Sequence, residues 1–363
     1  MPRILIGFLC VFIAGSPRAW AAQMEGPTVY EVEPSLAVIS DDGSQAYYVQ
    51  SGSYGWTDES FGPKKNSTLI RLDLNQKLSA KVDLDPSVGG TKFRLVGFAP
   101  TGELIGYSRG NVWAYAPATR ALRVLFTAPK KQKIRWAALQ AKAGPVFVSL
   151  APGDHPDDSS SETLSFAVHD LITLSWNGKQ VQHEQTRTRR EVLPPGSVFD
   201  ESNVLFFPMR DIYQCEWHKG LRGGRCLPVS TEEVFIDGGS PGTIGARSIA
   251  VSKKMVYVYI NRLGGSGAGF VMRFPKVPLP ERADLFDKPE EHYRQVMTHY
   301  ADSLRSMETL QTDVVDAMLC ASDNGVHVLI GAFIGEHGPE SKASDRHWFK
   351  VTNDSEPVKL EFN

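Results

Sequence analysis

Short stretches of alternating apolar and polar residues run along most of the chain, and a tight polar turn separates many neighbouring stretches. Residues 102–126 are typical, with turns at Gly102 and Gly110. Three extended segments lie around these turns: residues 104–107, 112–115 and 122–126. Gly, Asn and Asp at such turns tolerate the positive φ of tight hairpins. The alternation predicts antiparallel strands joined by hairpins, rather than helices that alternate with strands.

The same strand–turn–strand unit recurs along the sequence. Its turns are centred on Asp42, Thr101, Ala143, Glu201, Lys253 and Asn324, which lie 59, 42, 58, 52 and 71 residues apart. About four short strands fit into each interval, and units of about four strands arranged around a channel define a β-propeller. The sequence therefore predicts an all-β, six-bladed β-propeller, with seven blades as the alternative count.

The composition of the repeated unit predicts which strand lies innermost. The first strand of each unit is rich in Ala, Gly and Ser, which suits strands crowded around a central channel. Bulky residues are concentrated in the second strands, where blades pack face to face. They are Tyr47, Tyr48, Phe147, Phe206, Phe207, Tyr257 and Tyr259.

Residues 40–49 and 98–125 resemble the repeat of TolB-type, WD-repeat-like propellers. That repeat runs roughly F-S-P-D-G-x-x-I-x-Y and continues as x-[ILV]-W-x-[YV]-D-x-x-T-G. The matching residues are Phe98, Pro100, Gly102, Trp113, Tyr115 and Thr119. The chain departs from the repeat at Thr101, Ala116 and Arg120. The resemblance implies a propeller fold and a location in the cell envelope, and it carries over no functional residue.

The beginning of the chain has the pattern of a signal peptide. Arg3 precedes an apolar run at residues 4–14, Pro17 follows it, and Ala19-Trp20-Ala21 has the small-x-small pattern of a cleavage site. We expect residues 1–21 to be removed and residues 22–363 to form a single propeller domain that is periplasmic or secreted. The apolar run is shorter than the roughly 20 residues of a membrane-spanning helix, so no membrane span is expected.

Net charge bears on the class of partner, and the cysteine positions predict one disulfide and one free thiol. The formal net charge of −2 argues against a nucleic-acid partner. In an oxidising compartment, Cys215 and Cys226 are predicted to form a disulfide, because the ten residues between them contain three glycines and favour a hairpin. Cys320 lies in an apolar run and is predicted to be a buried thiol.

A helix is predicted in the longest interval between turns, within an insertion at residues 283–310. Asp287 is the expected N-cap, Pro289 fits the first turn, and apolar residues follow at helical spacing to residue 310. His292 and His299 on this helix would lie about 10.5 Å apart along its axis, which is too far for one shared metal ion.

Motifs that could carry catalysis or bind metal fail on their chemistry. Ser240 lies in a G-x-S-x-G sequence, but Pro241 has no backbone N–H for an oxyanion hole. The glycine-rich residues 264–269 precede a strand instead of the helix that a phosphate loop needs. The acidic residues 154–162 and the residues 335–348 lack recognisable ligand spacing. The sequence therefore predicts no catalytic residue, no metal and no cofactor.

Strand order predicts where binding residues lie. The six repeated turns share one end of the propeller, the tight-turn face. The opposite end, the long-loop face, holds the long connections 51–66, 152–163, 261–269 and 335–347 and the links 128–135 and 185–192. The candidate partner-binding residues there are Tyr54, Trp56, Phe61, Lys130, Lys131, Lys133, Arg187, Arg189 and Arg190. Aromatic residues and arginines on a rigid base suit a protein partner.

Two functions are compatible with these features. The first is an exported scaffold, either an envelope-complex component or an inhibitor, that binds a protein through the long-loop face. The alternative is a hydrolase or lyase that acts on a glycan or peptide at the central channel. Propeller enzymes can assemble acid and base groups from several blades without a local motif. The sequence contains no signal for an oligomeric state.

Overall fold

The computed structural model of the chain describes fifteen segments. They are residues 37–50, 68–85, 88, 93–141, 144–152, 169–176, 181–191, 193, 196–208, 212–217, 226–229, 244–262, 269–277, 308–334 and 346–362. The described residues are strand-rich, and their antiparallel strands form a six-bladed β-propeller.

Four blades are separate four-stranded sheets in chain order. Blade 1 consists of β1 (Ala37–Ile39), β2 (Gln45–Gln50), β3 (Thr68–Asp73) and β4 (Leu78–Val82). Blade 2 consists of β5 (Phe93–Phe98), β6 (Leu104–Ser108), β7 (Asn111–Ala116) and β8 (Ala121–Thr127). Blade 3 consists of β9 (Gln132–Leu139), β10 (Val146–Pro152), β11 (His169–Trp176) and β12 (Val181–Glu191). Blade 4 consists of β13 (Val198–Phe199), β14 (Val204–Pro208), β15 (Ile212–Glu216) and β16 (Cys226–Val229).

Blades 5 and 6 form one seven-stranded sheet. Its strands are β17 (Ile244–Val251), β18 (Met255–Arg262), β19 (Gly269–Pro275), β20 (Glu308–Ala321), β21 (His327–Ile334), β22 (Arg346–Thr352) and β23 (Val358–Leu360). The first half of β20 pairs with β19, its second half pairs with β21, and Val314 pairs with both neighbours. One 14-residue strand thus completes blade 5 and begins blade 6.

The inner strands form a closed ring. They are β1, β5, β9, β13, β17 and β20, each packs beside the inner strand of the next blade, and β20 packs beside β1. Blades 1 and 6 share no strand in the described residues. Their seam is closed by side chains: Asn324 donates to Asp41 and Lys350 donates to the Gly43 carbonyl at 2.5 Å. The rings of Tyr48 and Trp348 also lie 4.9 Å apart across this seam.

The hydrophobic core lies between neighbouring blades, as the aromatic second strands predicted. One cluster joins blades 2, 3 and 4, a second joins blades 6, 1 and 2, and two smaller clusters join blade 5 to its neighbours. Close packing extends to glycine. Gly106 pairs with Trp113, and a methyl group on Gly106 would lie 2.2 Å from that indole ring.

The prediction of the repeated units is confirmed, because the six predicted turns connect the first and second strands of the six blades. Part of the helix prediction is wrong. Residues 308–310 belong to β20, where pairing with β19 keeps the chain extended, and residues 278–307 lie outside the described segments. The predicted signal peptide also lies outside them. No helix among the described residues is long and apolar enough to cross a membrane.

Candidate protein-binding face

The long-loop face is the end of the propeller at which the inner strands begin. The chain leaves this face after Gln50, Pro152, Arg262 and Ile334, and the connections that follow lie outside the described residues. The predicted aromatic contacts Tyr54, Trp56 and Phe61 belong to the first of these connections, so their role stays a prediction. The described part of the face consists of strand ends, short turns and links.

The link from β8 to β9 carries the first predicted basic segment. The Gln132 N–H donates to the Pro129 carbonyl at 2.9 Å, and Lys131 has a φ of 71° in this turn. Lys130 and Lys131 are exposed there. Lys133 is only 3% exposed, because it lies inside β9 opposite Ala151. Lys130 and Lys131 can therefore meet a partner, whereas Lys133 is not a surface contact in this arrangement.

The second predicted basic segment lies on a strand instead of a link. Residues 187, 189 and 190 belong to β12, the outer strand of blade 3. Within it, Arg187 pairs with Ile172 and Arg189 pairs with Asp170. The expected link at residues 185–192 is thus corrected, because pairing with β11 continues to Glu191.

The fold brings these two basic segments to the same end of blade 3. The Gln132 side chain at the start of β9 donates to Asp170 of β11 at 3.3 Å. Asp170 is in turn the register partner of Arg189. Segments that are widely separated in the sequence therefore share one sheet end, which also contains Pro152 at the end of β10.

Three further arginines lie at this end of blades 2 and 3 and were not predicted from the sequence. Arg94 lies near the start of β5, Arg135 lies in β9, and Arg109 lies in the turn between β6 and β7. Backbone hydrogen bonds hold that turn against the lysine-bearing link: Ile134 N–H donates to the Arg109 carbonyl at 2.8 Å. Each of the three arginines also interacts with other residues. Arg135 lies within the predicted link 128–135, and the sequence signal for Arg109 is the short turn at Arg109-Gly110 on the same face.

We call these residues of blades 2 and 3 the basic sector. Its members are Arg94, Arg109, Lys130, Lys131, Arg135, Arg187, Arg189 and Arg190. Acidic residues lie at the same end of blade 3, Asp170 and Glu191 among them, and the acidic connection 152–163 follows β10 there, so the basic sector borders negative charge. Such a surface can steer an acidic partner and fix its orientation.

The tight-turn face is built differently, around a turn at residues 322–326 that we call the hub turn. Its Asn324 hydrogen-bonds to Asp41 of blade 1, and its Gly325 carbonyl accepts a bond of 3.1 Å from Lys253 N–H of blade 5. Burial and the neighbouring Asp41 charge raise the pKa of Asp323 in this turn to about 7. This environment was not visible in the sequence, because it depends on turns of different blades.

A second polar network on the tight-turn face joins blades 5 and 6. Ser252 and Tyr257 of blade 5 both donate to the Asp354 carboxylate in the turn that follows β22, Tyr257 at 3.0 Å. Arg273 is buried and donates to Glu308 at 2.7 Å and to the Ser355 carbonyl at 2.7 Å. Burial beside Asp354 raises the pKa of Tyr257, which therefore stays a neutral donor. The network stabilises the junction between the two blades.

The cysteines lie where the sequence predicts them. Cys215 of β15 and Cys226 of β16 are register partners, and Cys215 is buried. Directly opposed positions of this kind are close enough for a bridge, and the disulfide stays a prediction. Cys320 is a buried free thiol, as predicted, and burial raises its pKa far above the usual range.

The sequence matches no family model and no curated protein. The fold is similar to that of an oligogalacturonate lyase from Vibrio parahaemolyticus, at 8% identity and a TM-score of 0.43, with 93% of this chain and 80% of that chain covered. It is also similar to a prolyl endopeptidase, at 11% identity, a TM-score of 0.39 and coverage of 96% and 42%. Prolyl oligopeptidase B from Galerina marginata gives 9% identity, a TM-score of 0.44 and coverage of 96% and 43%.

This chain thus spans less than half the length of the two peptidases. The similarities concern fold, and they assign no activity to this chain.

Proposed function

We propose that this protein is an exported propeller scaffold that binds another protein through its long-loop face. The observation that carries the proposal is the meeting of the two basic segments at one end of blade 3, bridged by the Gln132–Asp170 hydrogen bond. The signal-like pattern of residues 1–21 supports export to the periplasm or beyond. An envelope-complex component and an inhibitor of another exported protein both fit this role.

The basic sector and the aromatic loop, which is the connection 51–66 with Tyr54, Trp56 and Phe61, would contribute to binding in different ways. Exposed charges such as Lys130 and Lys131 mainly accelerate association and make it sensitive to salt. Aromatic side chains such as Trp56 and Phe61 are typical anchors that slow dissociation when they are desolvated. Since the connection that contains Trp56 and Phe61 follows Gln50 at the same end of the propeller as the basic sector, one partner could meet both sets.

The proposal is tested by capture followed by measurement. Mature protein is crosslinked in its native envelope, the captured partner is identified by mass spectrometry, and binding of the purified pair is measured at several salt concentrations. Replacing Arg187, Arg189 and Arg190 with Ser should reduce the association rate about tenfold at low salt and flatten its salt dependence. The matched control is Lys253→Ser with Lys254→Ser, two exposed lysines on the tight-turn face.

The control variant should bind like the wild type. Loss of binding in the control together with full binding in the arginine variant would show that the partner binds the tight-turn face instead of the long-loop face.

A second candidate function is supported by Asp323. A carboxyl group with a pKa near 7 has the property that a general acid needs, and Asp323 lies where an inner strand ends at the tight-turn face. A hydrolase or lyase that acts on a glycan or peptide at the channel could use it. Asp323→Asn should then abolish turnover of an oligosaccharide or peptide library while partner binding stays unchanged. Unchanged turnover in the variant would reject this role.

A further inference from the structure

The outer edge of blade 3 differs from the other outer edges of the propeller. The strand order places β12 at this edge, and no further described strand pairs with it. β12 has 11 residues, whereas the outer strands β4, β8, β16 and β23 have 5, 7, 4 and 3. β12 pairs with the 8 residues of β11 from Trp176 to His169, so at about 3.3 Å per residue it extends over about 26 Å. A long edge strand can serve as a template for another strand.

β12 has charged side chains and β-bulges, which limit unspecific strand addition, but it has no proline, and its charges would select the partner. Residues 181–191 contain no proline, which would interrupt an added strand. The pairing with β11 is regular from Thr186 to Arg189 and shifts on both sides of that stretch. An added strand would therefore meet a regular template of four residues, 186–189.

The charge pattern of this regular stretch argues against a second copy of the same chain. Arg187 and Arg189 occupy alternate positions and so share one face of the strand. Antiparallel pairing of two copies through this stretch would place arginines opposite arginines, which is unfavourable. An extended segment with Asp or Glu at alternate positions would instead place a carboxylate opposite each arginine.

We propose that an extended acidic segment of the partner protein adds to β12 as a further strand of blade 3. This inference rests on the proposed function and specifies its binding mode and the chemistry of its partner. Backbone hydrogen bonds to the β12 edge would provide affinity, and carboxylates opposite Arg187 and Arg189 would fix the register. Thr186 and Thr188, on the other face of the strand, suit small polar or β-branched residues of the added segment.

The test uses the mature full-length chain and a labelled peptide of five Glu-Thr repeats. Binding is followed by fluorescence anisotropy for the parent peptide and for two N-methylated forms, one methylated at every Glu and one at every Thr. A strand offers the N–H groups of alternate residues to one neighbour. One methylated peptide should therefore bind at least about tenfold more weakly than the parent, while the other stays within about threefold of it.

Charge reversal in the protein provides the matching experiment. Arg187→Glu with Arg189→Glu should lose the Glu-Thr peptide and acquire binding to a Lys-Thr peptide of the same length. Arg187→Gln with Arg189→Gln is a milder variant that should weaken the Glu-Thr peptide without acquiring the other. Lys253→Glu with Lys254→Glu on the tight-turn face is the control and should change neither. Circular dichroism and thermal melting check that each variant is folded.

The outcomes separate this inference from the proposed function. Equal binding of all three peptides would reject strand addition, because a contact through side chains alone is insensitive to backbone methylation. Failure of the parent peptide to bind would reject it too. If the captured partner still depends on the basic sector in either case, the proposed function stands. If the captured partner ignores every change on the long-loop face, the proposed function fails as well.

Discussion

The two faces of the propeller differ in how their turns and links are held and in what they expose. On the tight-turn face, short turns of different blades bond to one another, as the hub turn does with Asp41 and Lys253. On the long-loop face, the lysine-bearing link is held by backbone bonds to a neighbouring turn, and Lys130 and Lys131 project outward. Among the described residues, the tight-turn face therefore joins turns of different blades directly, whereas the long-loop face presents exposed charge beside its links.

The largest expected effect is a difference in stability between alanine substitutions at two glycines, one on each face. Gly43 has a φ of +65°, and a methyl group there would lie 2.8 Å from the His327 ring across the seam. We expect Gly43→Ala to lower the free energy of unfolding by about 2–4 kcal/mol, from positive φ and overpacking together. Gly110 on the long-loop face has nothing within 4 Å of a Cβ position.

The matched variant Gly110→Ala should therefore stay within about 0.5 kcal/mol of the wild type. Urea unfolding of both variants measures the difference. Equal losses would show that the two faces do not differ in how tightly they are packed.

The next effect is that of the predicted disulfide, which would lie beside the tight-turn face. A disulfide between Cys215 and Cys226 should contribute about 2–3 kcal/mol, because it closes a short loop. Without reductant, unfolded mature protein should then expose one alkylatable thiol, that of Cys320, in intact-mass measurements. Three reactive thiols would disprove the bridge. Replacing both cysteines with Ser in one variant measures the stability that the bridge provides.

The aromatic loop should affect binding but not folding. Trp56→Ala with Phe61→Ala should weaken partner binding by about 2 kcal/mol or more if either residue is an anchor. The stability of the chain should change by no more than about 0.5 kcal/mol. Leu78→Ala with Val358→Ala is a suitable control, because both residues are exposed apolar side chains on outer strands. If the control variant loses a similar amount of binding free energy, the aromatic loop is not a specific contact for the partner.

The last expected effect is a pH dependence in the hub turn. Asp323 has a pKa of about 7 in the folded chain, above its usual 3.8. Between these values the unfolded chain has lost a proton that the folded chain keeps, so this group makes stability fall as pH rises. Asp323→Asn should therefore be more stable than the wild type at pH 8, and the gain should vanish near pH 4.

Asp42 provides a control of opposite sign on the same face. Hydrogen bonds from Ser40 and Ser44 lower its pKa to about 2. Its contribution is present above the usual 3.8 and is lost as pH falls towards 2, so Asp42→Asn should be less stable than the wild type at pH 7. Unfolding at pH 3, 5 and 8 distinguishes the two variants. The same sign for both would contradict the electrostatic account of the hub turn.

Local chemistry explains which features the sequence could predict. The turns at Gly43, Gly102 and Gly325 need positive φ, so the blade count was readable from residues that stand close together in the chain. The environment of Asp323 was not readable, because the neighbouring Asp41 is about 280 positions away and only ring closure brings it near.

Three predictions from local sequence are contradicted by strands whose extended form depends on a neighbouring strand. Residues 308–310 continue a helical spacing of apolar residues, and only pairing with β19 shows that they are extended. Residues 185–190 are polar throughout, so they lack the alternation that marks a half-buried strand, and their composition predicts a link. The charge of Lys133 predicts a surface position, although β9 buries it. In each case a neighbouring strand decided the outcome.

Because the 14-residue strand β20 belongs to both blade 5 and blade 6, the six blades are not equally separable units. Blades 1 to 4 each end before the next begins, so a circular permutant opened at one of the links after β4, β8, β12 or β16 would keep every strand whole. The junction of blades 5 and 6 has no such link, since the chain passes from one blade to the other within β20. These two blades can therefore be duplicated, exchanged or excised only as a pair.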